Sequence, residues 1–432
     1  MASNKNMISP VVGVLICINT MIGAGLFINA ATLAQKAGPW GFVGYIVSAL
    51  LMLPLILSIS TLAKLHPVSG GLYVFSKSHI GNWAGFLSGW SYFLGKTAAA
   101  GLLMHKFVQF FQVQFSFLNQ FPALVLDYFV LFFLISIHIL GARIGGKLQY
   151  LFVSLKMLPI IFVFTFGFIT FDSSFYQFGV TDFSSLFLII PVCVFASIGF
   201  EIICSVGHLI IDSSKNIKRV ILTAFGIVVG VNTIFQGIIF GALGNAVVEA
   251  GIPILPLAQK AIPTYEFIGR ILNGSVYAAI LGACFSIFTA NCWNLFTLAE
   301  NNHLPFKRFL TKLSSKQIPW VALIVEGFVA AVILAITSAQ LPLMNVAVFS
   351  QLIAMLLSAV AAFYAAKSVA NFGLNRWVPL LGISTASYIL FVSLFNIVKF
   401  GISFSFLSIF LIGIAAAVIK MVPRKCDTNK IS

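Results

Sequence analysis

The sequence predicts an all-α integral membrane protein with about twelve transmembrane helices, and three observations predict it. Hydrophobic residues make up 60% of the 432-residue chain and charged residues only 8%, whereas a soluble domain carries about a quarter charged. Apolar runs of about 20 residues, the length that crosses ~30 Å of hydrocarbon, recur from end to end. The basic residues fall between those runs with a strong sidedness.

The runs lie near 9–33, 40–63, 83–112, 124–141, 148–171, 184–211, 220–244, 274–299, 319–338, 343–366, 377–398 and 401–421. With the N-terminus inside, 18 of the 25 Lys and Arg residues fall on the inner side, 5 on the outer side, and 2, Lys96 and Lys156, within helices. That bias predicts a multi-pass protein of the cytoplasmic membrane with both termini cytoplasmic. The net charge of +15 is therefore a topology signal, and no nucleic-acid partner is expected. The uninterrupted runs show no alternation of period two, which excludes a β-barrel. The first run is too long for a signal peptide and no small-residue cleavage site follows it, so it is expected to persist in the mature protein.

The expected organisation is a cytoplasmic N-terminus (1–8), a ten-helix core (9–366, with repeats 9–171 and 184–366), helices 11 and 12 (367–421) and a cytoplasmic tail (422–432). Connections are short; the longest are 64–82 and 300–318 inside and 245–273 outside. Five cysteines lie in helices and Cys426 in the tail. Their spacing suggests neither disulfides nor a metal site, and no cofactor is expected.

Glycines interrupt two runs at corresponding positions. Helix 1 carries Gly23-Ala24-Gly25 midway, and helix 6 carries Pro191 and then Ser197-Ile198-Gly199. Unpaired backbone groups in hydrocarbon cost several kcal/mol each unless they line a cavity. Such breaks point to an inverted repeat with a binding site near the midplane; close packing of helices is the alternative use of the same glycines. Lys96 lies 13 residues into helix 3, about 20 Å along it. A lysine there costs ~2.5–3.5 kcal/mol even on conservative scales, so it should face a cavity or a partner.

Four motifs carry a family resemblance. Met21-Ile-Gly-Ala-Gly-Leu-Phe27 resembles the G-[SA]-G-[IVL]-F motif in helix 1 of the amino acid–polyamine–organocation (APC) permeases. Ala37-Gly-Pro39 with Pro67-Val-Ser-Gly-Gly-Leu-Tyr73, Ala84-Gly-Phe-Leu-Ser-Gly-Trp90, and Phe195-Ala-Ser-Ile-Gly-Phe-Glu201 follow in that family's order and spacing. The resemblance runs from about residue 9 to 320. Departures follow helix 6, where Asp212-Ser-Ser-Lys-Asn216-Ile-Lys-Arg219 lacks both prolines of the family's stretch, and at Ala299-Glu-Asn-Asn-His-Leu-Pro305.

The resemblance implies a LeuT-type 5+5 inverted repeat with broken helices 1 and 6, plus two peripheral helices, transporting amino acids by alternating access. It places the substrate carboxylate on the amides of Gly23, Ala24 and Gly25, and the amino group on the carbonyls of Ile22, Phe195, Ala196 and Ile198. Half-helix ends supply such donors and acceptors without charged side chains. Phe195 stands where related antiporters place a gating aromatic; Trp293 is a second gating aromatic only if a gap is allowed. Lys96 aligns with positions that touch the substrate side chain, where it would favour neutral or anionic substrates; otherwise it is a structural lysine paired with Glu201. Lys156 lies where sodium-coupled LeuT-type carriers hold their ion, and serves either as a titrating group for proton coupling or as a permanently charged strut. Glu201 is either a coupling or gating group or a fixed carboxylate bonding backbone near the break. Glu326 and His138 are expected to be buried, satisfied polar groups.

The expected function is sodium-independent secondary transport of neutral or acidic amino acids, by proton symport or exchange. The alternatives are an antiporter for a basic amino acid and polyamine, a membrane-embedded enzyme, or a channel. An enzyme would need clustered His, Asp or Glu, which the loops lack, and no P-loop for an ATP-driven pump is present. The sequence does not specify an oligomeric state.

Overall fold

The computed structural model describes residues 9–68, 70–139, 142–177, 185–207, 210–250, 252–264, 266–316, 318–369 and 372–399. The predicted twelfth segment, 401–421, and both chain ends lie outside the described residues. Every regular element among the described residues is helical. Six helical stretches are long and apolar enough to cross a membrane, and four shorter apolar helices accompany them. This makes the chain a multi-pass membrane protein.

Ser9 caps α1 (Pro10–Met21), its Oγ accepting from the Val12 amide at 3.3 Å, and Pro10 stands where a helix has no use for an amide donor. The helix stops at Ile22-Gly23 and resumes as α2 (Ala24–Ala37). The break is thus narrower than predicted, and Gly25 lies inside α2. After a 3₁₀ turn at Gly38–Trp40 come α3 (Gly41–Leu65), α4 (Gly71–His79), α5 (Asn82–Gln114), α6 (Ala123–Ile139) and α7 (Ala142–Phe162). A π-turn at Val163–Gly167 extends α7, four residues beyond Pro159, whose missing N–H removes one rung of the ladder.

The sixth predicted run is also interrupted. α8 (Leu186–Phe195) contains Pro191 within its span, and the chain turns at 196–201 before α9 (Ile202–Ser205). The rest comprises α10 (Ser213–Leu243), α11 (Ala246–Ala250), α12 (Ile254–Ala261), α13 (Glu266–Glu300), α14 (Lys307–Leu310), α15 (Trp320–Ile336), α16 (Gln340–Ser368) and α17 (Trp377–Lys399).

Two connections differ from expectation. The stretch 245–273 holds α11, α12 and the first turns of α13, because Ile254, Leu257 and Ala258 recur at helical spacing and are buried. The stretch 64–82 holds α4, which is tied to the end of α3 by His66 and His79 (Nε2···Nε2 2.8 Å) and to the end of α13 by Tyr73 and His303 (2.9 Å).

α5 packs against α13, α16, α15, α6 and α4. Its sequence is interrupted by Gly, Ser, Lys96 and Thr97, as suits a helix whose neighbours are protein. α1 lies against α10 and α13, and α2 against α8, so the two broken helices stand side by side. Close approach fixes several glycines, and Gly95 is the tightest case on α5. A Cβ there would lie 2.7 Å from Gln351 Cγ and 2.9 Å from the Ala347 carbonyl oxygen on α16. Gly95→Ala is expected to destabilise the protein by about 1–3 kcal/mol through overpacking, read as a lower midpoint in detergent thermal melts; an unchanged midpoint would show that this contact can relax.

Candidate substrate site between the two broken helices

Interrupting α1 and α2 frees backbone groups at depth. The last carbonyls of α1 and the first amides of α2 have no intrahelical partners. Lys156, from α7, meets two of the carbonyls. Its fully buried Nζ donates to Asn19 O at 2.9 Å and to Ile22 O at 2.7 Å. The Asn19 side chain is held in turn, its Nδ2 donating to Ser286 Oγ at 3.1 Å and to Gln149 Oε1. The ammonium therefore closes the end of α1 and takes up the Ile22 carbonyl that was expected to receive the substrate amine.

Gly23 has no room for a side chain: its Cβ would lie 2.7 Å from Ala283 Cβ. Gly25 faces the second break, where a Cβ would lie 3.3 Å from the Ala196 backbone. In that break Ser197 and Ile198 fold back, their amides donating to Val194 O at 2.9 and 3.0 Å. Gly199 takes φ +137°, and a Cβ there would press on Met21 at 3.0 Å. A side-chain-bearing residue would be strained on both counts.

Glu201 organises the turn. Its Oε2 accepts from the Gly199 amide at 2.9 Å, and its Oε1 accepts from Tyr92 OH at 3.1 Å and pairs with Lys96 Nζ at 2.6 Å. Lys96 and Glu201 are 3% and 1% exposed, so this is a buried ion pair whose carboxylate is met by three donors. Two expectations kept apart in the sequence thus coexist: Lys96 is paired with Glu201, and it also lines the cavity.

The cavity lies between the breaks and is lined by Thr20, Met21, Gly23, Gly25, Lys96, Ala99, Leu103, Phe195, Ala196, Ile198, Ile287 and Gln351. It gathers Gly23, Gly25, Lys96, Phe195, Ala196 and Ile198 from the sequence-derived set. Ile22 is not among the lining residues. Ala24 opens α2 in backbone, and its side chain lies outside the described residues. Trp293 does not reach the cavity; it packs edge-on against Phe296 at 5.2 Å between ring centroids. Two smaller cavities flank the first along α5. One shares Gly25, Leu103 and Phe195 with it and adds Lys106; the other, at Gly89 and Tyr92, begins on the far side of the Lys96–Glu201 pair. Phe195 lines both the central cavity and the one at Lys106, and Lys96 lines the central cavity while Tyr92, which bonds its partner Glu201, lines the one at Gly89.

Sequence reasoning missed Gln351, a cavity residue on α16 whose signal was a lone amide in an apolar run. It also missed the buried pair His105 Nδ1–Asp127 Oδ2 at 2.7 Å between α5 and α6. His138 is satisfied by Leu134 O, Phe285 O and Thr289 Oγ1 at 2.7–3.1 Å. Glu326 is only half satisfied: Asn291 Nδ2 donates to its Oε1 at 3.0 Å, while Oε2 has no hydrogen-bond partner among the described residues.

A multi-pass helical membrane protein with a cavity at two helix breaks fits the class of small-solute carriers. The amino acid permease family, within the APC superfamily, matches residues 11–419, and the chain belongs to that family. It is similar to the γ-aminobutyric acid permease of Bacillus subtilis, 26% identical over 347 residues that cover 73% of this chain and 69% of the relative. It is likewise similar to an uncharacterised transporter of Mycobacterium tuberculosis, 26% identical over 74% of this chain and 72% of the relative. The aromatic amino acid transport protein AroP of Salmonella typhimurium is 22% identical over 89% of this chain and 84% of the relative.

Proposed function

We propose that this permease is a sodium-independent secondary transporter of amino acids with neutral or acidic side chains, working by alternating access in a cytoplasmic membrane with both termini inside. In this reading the ten-helix core forms two inverted repeats, and the cavity between their broken helices holds the substrate. The supporting observation is the arrangement at that cavity. Gly23 and Gly25 line it at the start of α2, where free amides would serve a carboxylate; Ala196 and Ile198 line it from the second break; and Lys96 lines it as a cationic side chain that would disfavour basic substrates.

Lys156 bonds Asn19 O and Ile22 O, carbonyls that the family resemblance implies would surround sodium in sodium-coupled carriers, which supports coupling without sodium. Phe195 and the Lys96–Glu201–Tyr92 cluster act as the two gates. They open in turn, Glu201 exchanging partners or taking a proton as they do.

Uptake into proteoliposomes, empty or preloaded, tests this with radiolabelled γ-aminobutyrate, phenylalanine, alanine, glutamate and arginine. Accumulation driven by a pH gradient alone indicates proton symport, and a strict need for internal substrate indicates exchange. Preferential arginine transport would favour the basic amino acid antiporter, and no flux with folded protein would reject transport of these solutes. Lys96→Met is expected to move the substrate ranking towards arginine; an unchanged ranking would remove Lys96 from substrate selection.

A further inference from the structure

Gln351 is 1% exposed and lines the central cavity, yet one of its two polar atoms has no partner. Its Nε2 donates to Ala347 O at 3.0 Å and faces Gly95 O at 3.5 Å. Its Oε1 accepts from nothing among the described residues. The orientation of the amide is fixed by chemistry: turned over, its oxygen would face two carbonyl oxygens that offer no proton. The acceptor is therefore the unpartnered atom of a residue that lines the cavity.

Its setting narrows the chemistry. Gly95, which Gln351 packs against, directly precedes Lys96, and the Lys96 charge is already matched by Glu201 at 2.6 Å. A cationic group arriving beside Lys96 would meet a like charge. An anionic group would meet the Gln351 carbonyl oxygen, lone pair to lone pair. An uncharged group bearing an O–H or N–H proton satisfies Oε1 and disturbs neither member of the ion pair.

We infer that Gln351 is a specificity-determining residue whose Oε1 accepts a hydrogen bond from an uncharged donor on the substrate side chain. The inference rests on this cavity being the amino acid site. It narrows the substrate class to neutral amino acids with a hydroxyl or amide on the side chain. A site that buries an acceptor discriminates strongly against an isostere lacking the donor, because the acceptor is then left unpaired and dehydrated.

The experiment compares near-isosteric pairs on the full-length protein: threonine with valine, and asparagine with leucine. Each is tested by thermal stabilisation of the detergent-solubilised protein and by uptake into proteoliposomes. The expected result for the wild type is that the donor-bearing member of at least one pair acts at a concentration about tenfold lower or more. Gln351→Met should abolish that difference by weakening the donor-bearing member while leaving its partner bound. Equal potency within both pairs in the wild type overturns the inference and leaves the transport reading intact, and that comparison needs no folded variant. A preference that persists in folded Gln351→Met also overturns it. If the wild type responds to none of the four in either assay, the proposed class is wrong. Response to another amino acid in the uptake panel would then spare the transport reading.

Discussion

Replacing Lys156 with methionine is expected to abolish uptake and lower the thermal midpoint together. The ammonium is the donor for Asn19 O and Ile22 O at 2.9 and 2.7 Å, in a fully buried place. Methionine fills similar volume and donates nothing. Two carbonyls then face a low-dielectric interior without a proton, at about 1–3 kcal/mol each. The end of α1 can recover those bonds only by tightening its last turn or admitting water, and either change moves Gly23. That residue cannot move freely, because a single added carbon there would sit 2.7 Å from Ala283 Cβ. Arginine is not an equivalent replacement, since a planar guanidinium presents its donors in a fork rather than at a point. Lys156→Arg is therefore expected to fold better than Lys156→Met and still to transport poorly. Folded Lys156→Met with wild-type uptake would show that the break holds its shape without the ammonium. A wild-type rate that stays flat with pH would remove Lys156 as a titrating group and leave it the role of a fixed strut.

What the sequence revealed follows from what is local. The run lengths and the glycines at Gly23 and Gly199 concern backbone that must cross or break within its own segment, so they are visible one residue at a time. Lys96, Lys156 and Glu201 stand out because a charge in an apolar run has few physical excuses. Partners are another matter. Glu201 is one of two destinations that the sequence allows for Lys96, and the choice depends on how α5 packs around the second break. That the Ile22 carbonyl accepts from Lys156 depends on how α7 packs against the first break. Gln351 escaped notice because a lone glutamine is unremarkable until its amide is seen trapped by Gly95 O and Ala347 O. The short helices α11 and α12 are hard to read because each spans only a few residues within a connection that carries Glu249, Lys260 and Glu266 between apolar runs. Trp293 illustrates the same point: the sequence offers it as a gating aromatic only if a gap is allowed, and it packs on Phe296 rather than lining the cavity.

The Lys96–Glu201 pair provides the second large effect, and here the two single replacements should differ. Removing one partner of a buried ion pair leaves an uncompensated charge, at about 3–5 kcal/mol. In Lys96→Met the remaining carboxylate keeps the Gly199 amide and Tyr92 OH as donors, and it can also take up a proton. In Glu201→Gln the lysine loses its counter-charge. Gly199 N and Lys96 meet different oxygens of the carboxylate, so with Gln one of these donors faces the new NH2 group instead of an acceptor. Gly199 is held at φ +137° against Met21, so a loosened turn there disturbs both breaks. Glu201→Gln is therefore expected to be the more damaging single change, in thermal midpoint and in uptake. The double variant, Lys96→Met with Glu201→Gln, removes both charges and should be more stable than the sum of the single losses predicts, since residues sharing a network are not additive. Losses that simply add would mean that the two charges are screened from each other despite their 2.6 Å separation. Transport by the double variant is expected to stay low even where stability returns. That outcome would support the proposed gating role of the pair, since Lys96 lines the central cavity and Tyr92, which bonds Glu201, lines the cavity at Gly89; a double variant that regains uptake along with stability would reject it.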